Sequence, residues 1–298
     1  GSTTRVNEEA VPILKESNRV QIQLLKLAKL SSLAYNAPDT EKIYEYRTGF
    51  EVGLERFDGM QKNLKVLAAS NAATREKFDA MKANFDHYLA SVNGMFEAKL
   101  ELLAAEQRTN DTANELLDRV DEVGTALSEI MYPVAPILGH DKEMEMVIGS
   151  LTGADDRKLG IAKAIDEIKR SEDPGLLGEA EDNFLFILND SKRWFEVGAE
   201  AFKTLDQDGL LDIARQEYDK LQAAIQAKPG IADHRTDVLK QMEIAKAALE
   251  AADKAVSTSI ATLDGMLEAS ETQFNTLQAD VFSRLDLASR SPSACWSF

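Results

Sequence analysis

One stretch of the chain, residues 72 to 132, contains no convincing helix stop, and this feature most constrains the fold. Apolar residues recur along it at a spacing of three and four, from Phe78 to Leu127, as in an amphipathic helix. At about 1.5 Å per residue such a helix is on the order of 87 Å long. It needs partner helices along its whole length, which a small globular domain does not provide.

A second stretch of similar length, residues 232 to 287, shares short motifs with the first half of the chain. The segment LASVNGMFEA at 89–98 is nearly repeated as IATLDGMLEA at 260–269, and FEVG at 50–53 recurs at 195–198. We interpret these echoes as an internal duplication. Counting residues from the ends of the two long helices places Gly94 and Gly265 at the same level along them, and we expect the two glycines to be in close contact.

The composition favours helices throughout, with only 7% aromatic residues, 16 Gly and 7 Pro. Helix breakers stand at 36–40, 171–175 and 228–230. Six helices are predicted: 4–35, 40–69, 72–132, 140–170, a fifth that pauses at 206–209 and continues to about 227, and 232–287. The predicted fold is all-α, two stacked four-helix bundles sharing two long antiparallel helices.

The predicted domain, residues 4–288, divides into two bundles. A membrane-proximal bundle takes about 4–95 plus 262–288, and a membrane-distal bundle takes about 96–261. Residues 289–298 lose the helical period and are expected to form a disordered tail. The single cysteine, Cys295, lies in that tail, so no internal disulfide is possible.

Charge and motifs exclude several functions. A formal charge of −17 argues against binding to a phosphate backbone, which depends on clustered Lys and Arg. No phosphate-binding loop, nucleophile elbow or Cys–His pair is present. The three histidines lack the Glu-x-x-His spacing of di-iron bundles. We therefore expect a non-enzymatic chain without metal or cofactor.

No apolar run approaches the roughly 18 residues that would span a bilayer. The opening Gly1-Ser2 resembles a cloning remnant. In the predicted fold both chain ends lie at one tip of the first bundle, as a segment inserted between two membrane helices requires. Membrane attachment is then expected through flanking helices that this sequence does not include.

The segment LKLAKL at 25–30, followed by NAPD at 36–39, resembles the helical bimodular sensor domain of bacterial methyl-accepting chemotaxis proteins. The resemblance covers about residues 4–288 in helix order and length. It implies a periplasmic domain of an inner-membrane receptor, possible homodimerisation through that receptor, and a small ligand, best an organic acid, bound between helices. Binding would signal by helix displacement.

Two alternatives stay open beside the chemoreceptor. The sensor of the trimethylamine-N-oxide histidine kinase is similar in architecture and docks a periplasmic binding protein. A structural helical adaptor would instead bind proteins along its exposed faces.

The resemblance also points to a ligand-binding pair on the first helix. Family members hold carboxylates with two basic residues three apart at this place, and here the pair is Lys26 and Lys29. Lysine keeps the charge but not the planar fork of arginine. Because the helix is apolar almost all round, a buried ammonium would need an anion. Otherwise both lysines reach solvent or pair with acids of the second helix.

A second candidate site lies in the other bundle. Lys158 is the one charge inside an apolar stripe, and it is predicted to face a pocket with Ser191, Arg193 and Trp194. Arg47 occupies the corresponding place in the first bundle. The plainer alternative is a solvated lysine at a bundle edge.

Overall fold

The computed structural model describes residues 11–134, 142–204, 206 and 208–289, and within these ranges the chain forms seven α-helices and no strand. The all-α prediction is confirmed. The helices are α1 Val11–Tyr35, α2 Thr40–Ala68, α3 Ala72–Val134, α4 Lys142–Arg170, α5 Pro174–Phe202, α6 Leu210–Gln226 and α7 Ile231–Ser289.

Two of the predicted breakers act as helix caps. The Asp39 carboxylate accepts a hydrogen bond from the backbone N–H of Lys42 at 2.8 Å, at the start of α2. Asp173 accepts from the N–H of Gly175 at 2.8 Å, at the start of α5. Both caps satisfy donors that a helix N-terminus leaves unpaired. The helix breaks predicted before α2 and α5 are therefore confirmed.

The chain divides into two compact units. Unit 1 comprises residues 1–100 and 243–298, and unit 2 comprises residues 101–242. The two longest helices, α3 and α7, contribute residues to both units.

Unit 1 is built on the buried stripe of α1 and on aromatic side chains of α2 and α3. Val20, Leu24 and Leu27 of α1 are fully buried, as their spacing predicts. Phe57 of α2 stacks on Phe85 of α3, with ring centroids 4.0 Å apart. Contacts of this kind couple large apolar burial to a fixed ring geometry. They set the register between α2 and α3.

The prediction that Gly94 meets Gly265 is wrong. A Cβ atom added at Gly265 would lie 3.5 Å from the side chain of Lys77, whereas one added at Gly94 would meet nothing within 4 Å. The count from helix ends failed because α7 runs on from Gly265 to Ser289, while α3 begins at Ala72, about one and a half turns before Lys77. The two helices are antiparallel in unit 1, but their ends are not level.

The FEVG echo does mark equivalent packing in the two units. In unit 1, a Cβ added at Gly53 of α2 would lie 2.9 Å from Leu27 of α1. In unit 2, one added at Gly198 of α5 would lie 3.2 Å from Leu151 of α4. At each repeated glycine, a leucine of the preceding helix packs directly against the glycine backbone.

Unit 2 contains a hairpin that the sequence did not predict. The fifth helix was expected to continue to residue 227, but α5 ends at Phe202 and α6 turns back antiparallel to it. Gly209 has φ 67°, a left-handed conformation that favours glycine, and the Asp206 carboxylate accepts from the N–H of Leu210 at 2.9 Å. Arg215 of α6 then bonds Glu196 of α5 at 3.1 Å.

Several predictions fall outside the described residues. They concern the start of the first helix before Val11, the turn after Val134, the chain ends and the tail that holds Cys295. Among the described residues, no helix combines the length and apolar character needed to cross a membrane.

Candidate functional site

The two lysines of α1 lie on the outside of unit 1. Lys26 and Lys29 are both exposed. Their apolar neighbours Ile22, Leu25 and Leu33 are exposed by 47%, 49% and 38%. Although the sequence of α1 is apolar almost all round, only one stripe of it packs inward. A ligand held by these lysines would sit on the surface of the unit, not between its helices.

Arg47 of α2 is already occupied by acidic partners of its own unit. Its guanidinium lies 3.0 Å from a carboxylate oxygen of Glu97 on α3 and 4.0 Å from Glu51 one turn along α2. It also lies over the ring of Phe96, 5.5 Å from the centroid. These contacts stabilise a cation without a bound ligand.

In unit 2, two of the predicted residues gather around an arginine that sequence analysis missed. Arg157 of α4 donates to the carboxylate of Asp190 on α5 and to the Gly153 carbonyl at 2.8 Å, and it lies 4.7 Å from the ring centroid of Trp194. Arg193 donates to the same carboxylate. The hydrogen bond from Arg157 holds the pKa of Asp190 below its usual value.

The sequence carries a partial signal for this cluster. Gly153 stands one turn before Arg157, and a glycine there leaves room for the Trp194 ring, which would come within 3.1 Å of an added Cβ. Helical spacing alone does not show which residue of α5 lies opposite.

Ser191 is part of the core of unit 2. It is 1% exposed, donates to the Ala154 carbonyl at 2.9 Å and accepts from the Tyr218 hydroxyl at 2.8 Å. Burial raises the pKa of Tyr218 to about 12. The hydrogen-bonding capacity of Ser191 is used within the fold, so the serine is not free to hold a ligand.

Lys158 faces a different helix from the one predicted. Its ammonium lies 3.4 Å from Asp155 one turn back, and its stem crosses Gly124 of α3. Its neighbour Arg157 reaches α5 instead, so Lys158 does not share a pocket with Ser191, Arg193 and Trp194. It borders an open groove of about 600 Å³ whose other lining residues all belong to α3: Asp121, Gly124, Thr125, Ser128, Glu129 and Tyr132.

The described residues contain no group of His, Cys, Asp and Glu side chains able to hold a metal ion. That the chain works without metal, cofactor or catalysis stays a prediction.

The fold is one already known from solved structures of all-helical domains. It is similar to the TorS sensor domain in its complex with TorT in the presence of TMAO, with a TM-score of 0.64 over 87% of this chain and 99% of that chain. It is also similar to the sensor domain of the V. parahaemolyticus histidine kinase sensor TorS, with a TM-score of 0.61 over 86% and 99% of the two chains.

Both solved structures are 11% identical to this sequence, a level at which the likeness establishes the fold alone. No protein-family model and no curated protein matches the sequence.

Proposed function

We propose that the chain is the periplasmic sensor domain of an inner-membrane histidine kinase, and that it receives its signal by docking a partner protein. The partner class is a periplasmic binding protein. Docking would displace helices that pass the signal on, a movement of an ångström or two being enough. The proposal assigns the chain no catalytic step.

The observation that carries this proposal is the state of the residues predicted to hold a small molecule. Lys26 and Lys29 lie on the outer surface. Arg47 is paired with Glu97, and Ser191 is bonded to Ala154 and Tyr218. Arg47 and Ser191 thus have partners within the chain, which leaves neither of them free to hold a small molecule between the helices.

The fold comparison supports the same choice. The TorS sensor domain, which shares this fold, occurs in a complex with TorT. A sensor of this fold is therefore able to use a protein as its partner.

Binding to individual purified proteins tests the proposal. The domain is immobilised, and each periplasmic binding protein encoded in the source genome is passed over it with and without its own ligand. We expect one of them to bind with a dissociation constant of about 1 μM or tighter, and to change affinity when its ligand is added. The domain unfolded by urea and immobilised in the same way is the control.

The competing function is direct binding of a small organic acid, for which the Lys158 groove offers an ammonium and the hydroxyls of Thr125 and Ser128 beside the carboxylates of Asp121 and Glu129. A thermal-shift screen with organic acids, amino acids and amines separates the two functions. Stabilisation by one chemical class that Lys158→Ala abolishes, together with no bound protein, would establish the direct sensor and refute the docking proposal.

A further inference from the structure

Helix α1 carries two stripes with the three-and-four spacing of a heptad repeat, and only one of them is used by the fold. The buried stripe is Ile13, Ser17, Val20, Leu24, Leu27, Ser31 and Ala34. The second stripe is exposed along its whole length and consists of Val11, Lys15, Asn18, Ile22, Leu25, Lys29 and Leu33. Apolar residues at this spacing are what a helix presents to another helix. We call this second set the outer stripe.

The charge of α1 is opposite to that of the rest of the chain. It contains four basic residues, Lys15, Arg19, Lys26 and Lys29, against one acidic residue, Glu16. In each of the other six described helices, acidic residues equal or outnumber basic ones, and α3 has 12 acidic against 6 basic. A basic, partly apolar stripe on a chain of net charge −17 is a localised feature.

The lysines on and beside the outer stripe have no ion-pair partner among the described residues. Glu16 is buried and pairs with Arg19 at 3.4 Å. Lys15, Lys26 and Lys29 form no ion pair with any described residue, whereas Lys42 and Lys82 of the same unit pair with Glu45 and Asp86. These three ammonium groups are available to carboxylates from outside.

A second copy of α1 is a poor occupant of the outer stripe. If two copies paired in parallel, Lys15 would face Lys15 and Lys29 would face Lys29. If they paired antiparallel about Ile22, Lys15 would face Lys29, seven residues from Ile22 on the other side. Like charges at such positions oppose association and select against that partner.

We infer that the outer stripe of α1 is a docking surface for an acidic, amphipathic face of a partner protein. Ile22, Leu25 and Leu33 supply the apolar contact, while Lys29 within the stripe and Lys26 beside it pair with carboxylates of the partner. The inference rests on the proposed function, because it names the surface through which the partner protein is received. It adds the chemistry of the partner: apolar residues at helical spacing flanked by Asp or Glu.

A pair of matched charge reversals tests the inference on the partner found by the binding screen. Lys26→Glu with Lys29→Glu reverses two exposed charges three residues apart on α1. Lys62→Glu with Lys65→Glu does the same on exposed positions of α2 in the same unit and changes the net charge equally. We expect the α1 pair to weaken binding at least about tenfold and to flatten its dependence on salt. The α2 pair should leave both nearly unchanged. Equal losses for the two pairs would overturn the inference, because they would show only the long-range effect of net charge.

A photo-crosslinking residue locates the contact. Placed at Ile22, it should yield an adduct with the partner, and placed at Val66 of α2, which is 75% exposed, it should not. An adduct with a second copy of the chain, or one formed only from Val66, would overturn the inference.

A designed peptide makes the result independent of the screen. Its heptads carry Leu at a and d and Glu at e and g, and its binding is followed by fluorescence anisotropy. If wild type binds it and the α1 reversal does not, the surface chemistry stands even when no binding protein docks, and only the proposed function fails. If the peptide binds both proteins equally, or neither, the inference fails.

Discussion

Tyr218 places a phenol in the interior of unit 2, where its only hydrogen-bond partner described is Ser191. Because burial raises its pKa to about 12, the folded protein keeps the phenol neutral at pH values where the unfolded chain, with a pKa of about 10, ionises. The raised pKa therefore contributes stability that is complete below about pH 10 and is lost as the pH rises towards 12.

Tyr218→Phe should remove this alkaline loss. Relative to wild type, the variant is expected to lose about 1 kcal/mol near neutral pH, because a buried hydrogen bond is gone. Its free energy of unfolding should then decline less between about pH 10 and 12. Urea unfolding at a series of pH values measures both effects. Tyr44→Phe, at a tyrosine that is 53% exposed, is the control and should follow wild type. Parallel curves for Tyr218→Phe and wild type would contradict the assignment.

For Asp190 we expect the opposite pH dependence, a contribution to stability that is lost in acid. Its hydrogen bond from Arg157 lowers its pKa in the folded state, so this contribution to stability is present above about pH 4 and disappears as the pH falls through the lowered value. Asp190→Asn should therefore be less stable than wild type near neutral pH, and the two should converge in acid. Asp182→Asn, at an exposed position of the same helix, should show no such convergence. Chemical unfolding at pH values from neutral to acid decides the matter.

Sequence analysis found only some residues of the site, because it could not tell which of two neighbouring residues on α4 faces α5. Sequence analysis placed Arg193 and Trp194 at one pocket with Lys158. It could not show that Arg157, and not its neighbour Lys158, faces them, because that depends on the rotation of α4 against α5. A difference of one residue turns a helical side chain by about 100°, enough to send it to another helix.

Among the helix ends, those with an aspartate beside a proline were predicted, and one without a proline was not. Asp39 follows a proline and Asp173 precedes one; both lie in predicted helix breakers, and each caps the next helix. The break at Asp206 to Gly209 was recognised but interpreted as a pause, because no proline stands there. The left-handed Gly209 makes it a full reversal, which the flanking periodicity cannot reveal.

Helix packing predicts unequal effects of two glycine substitutions in α5. Gly198→Ala puts a methyl group 3.2 Å from Leu151 and from Ser150, whereas Gly178→Ala meets nothing within 4 Å. We expect Gly178→Ala to stabilise the protein by about 0.5 to 1 kcal/mol through helix propensity. Gly198→Ala should destabilise it by about 1 kcal/mol, since overpacking of about 1 to 3 kcal/mol outweighs the propensity gain.

The same comparison is available in α2. Gly53→Ala would approach Leu27 to 2.9 Å, and Gly59→Ala would meet nothing within 4 Å. Denaturant unfolding of the four variants provides the measurement. If both crowded glycines tolerate alanine as well as the open ones do, the equivalence of the two Gly–Leu contacts loses its basis.

For the molecule as a whole, the sequence predicted the class of fold and the long helices but not the level at which they meet. Helix lengths follow from local patterns, and α3 and α7 each contribute to both units. The register between Lys77 and Gly265 is a property of side-chain packing along the contact, so counting from helix ends cannot supply it.

The net charge of −17 sets two effects of salt on folding against each other. Screening weakens the mutual repulsion of the acidic residues and favours the compact state. It also weakens ion pairs, but many of these, such as Lys42–Glu45 and Lys82–Asp86, lie between exposed side chains and contribute about 0 to 1 kcal/mol each. Repulsion acts on every acidic side chain at once, so it should dominate. We therefore expect the Tm to rise as NaCl is added to a low-salt buffer.

Lys26→Gln with Lys29→Gln sharpens this test, because it removes two unpaired positive charges and no ion pair described in the structure. The variant should have a lower Tm than wild type in low salt and should regain most of the difference as salt is added. Neutralising two exposed acids of α7, Asp237→Asn with Glu243→Gln, should act in the opposite direction. Calorimetry across a salt series compares the three proteins. A Tm that falls with salt in all of them would mean that surface ion pairs outweigh the self-repulsion of this acidic chain.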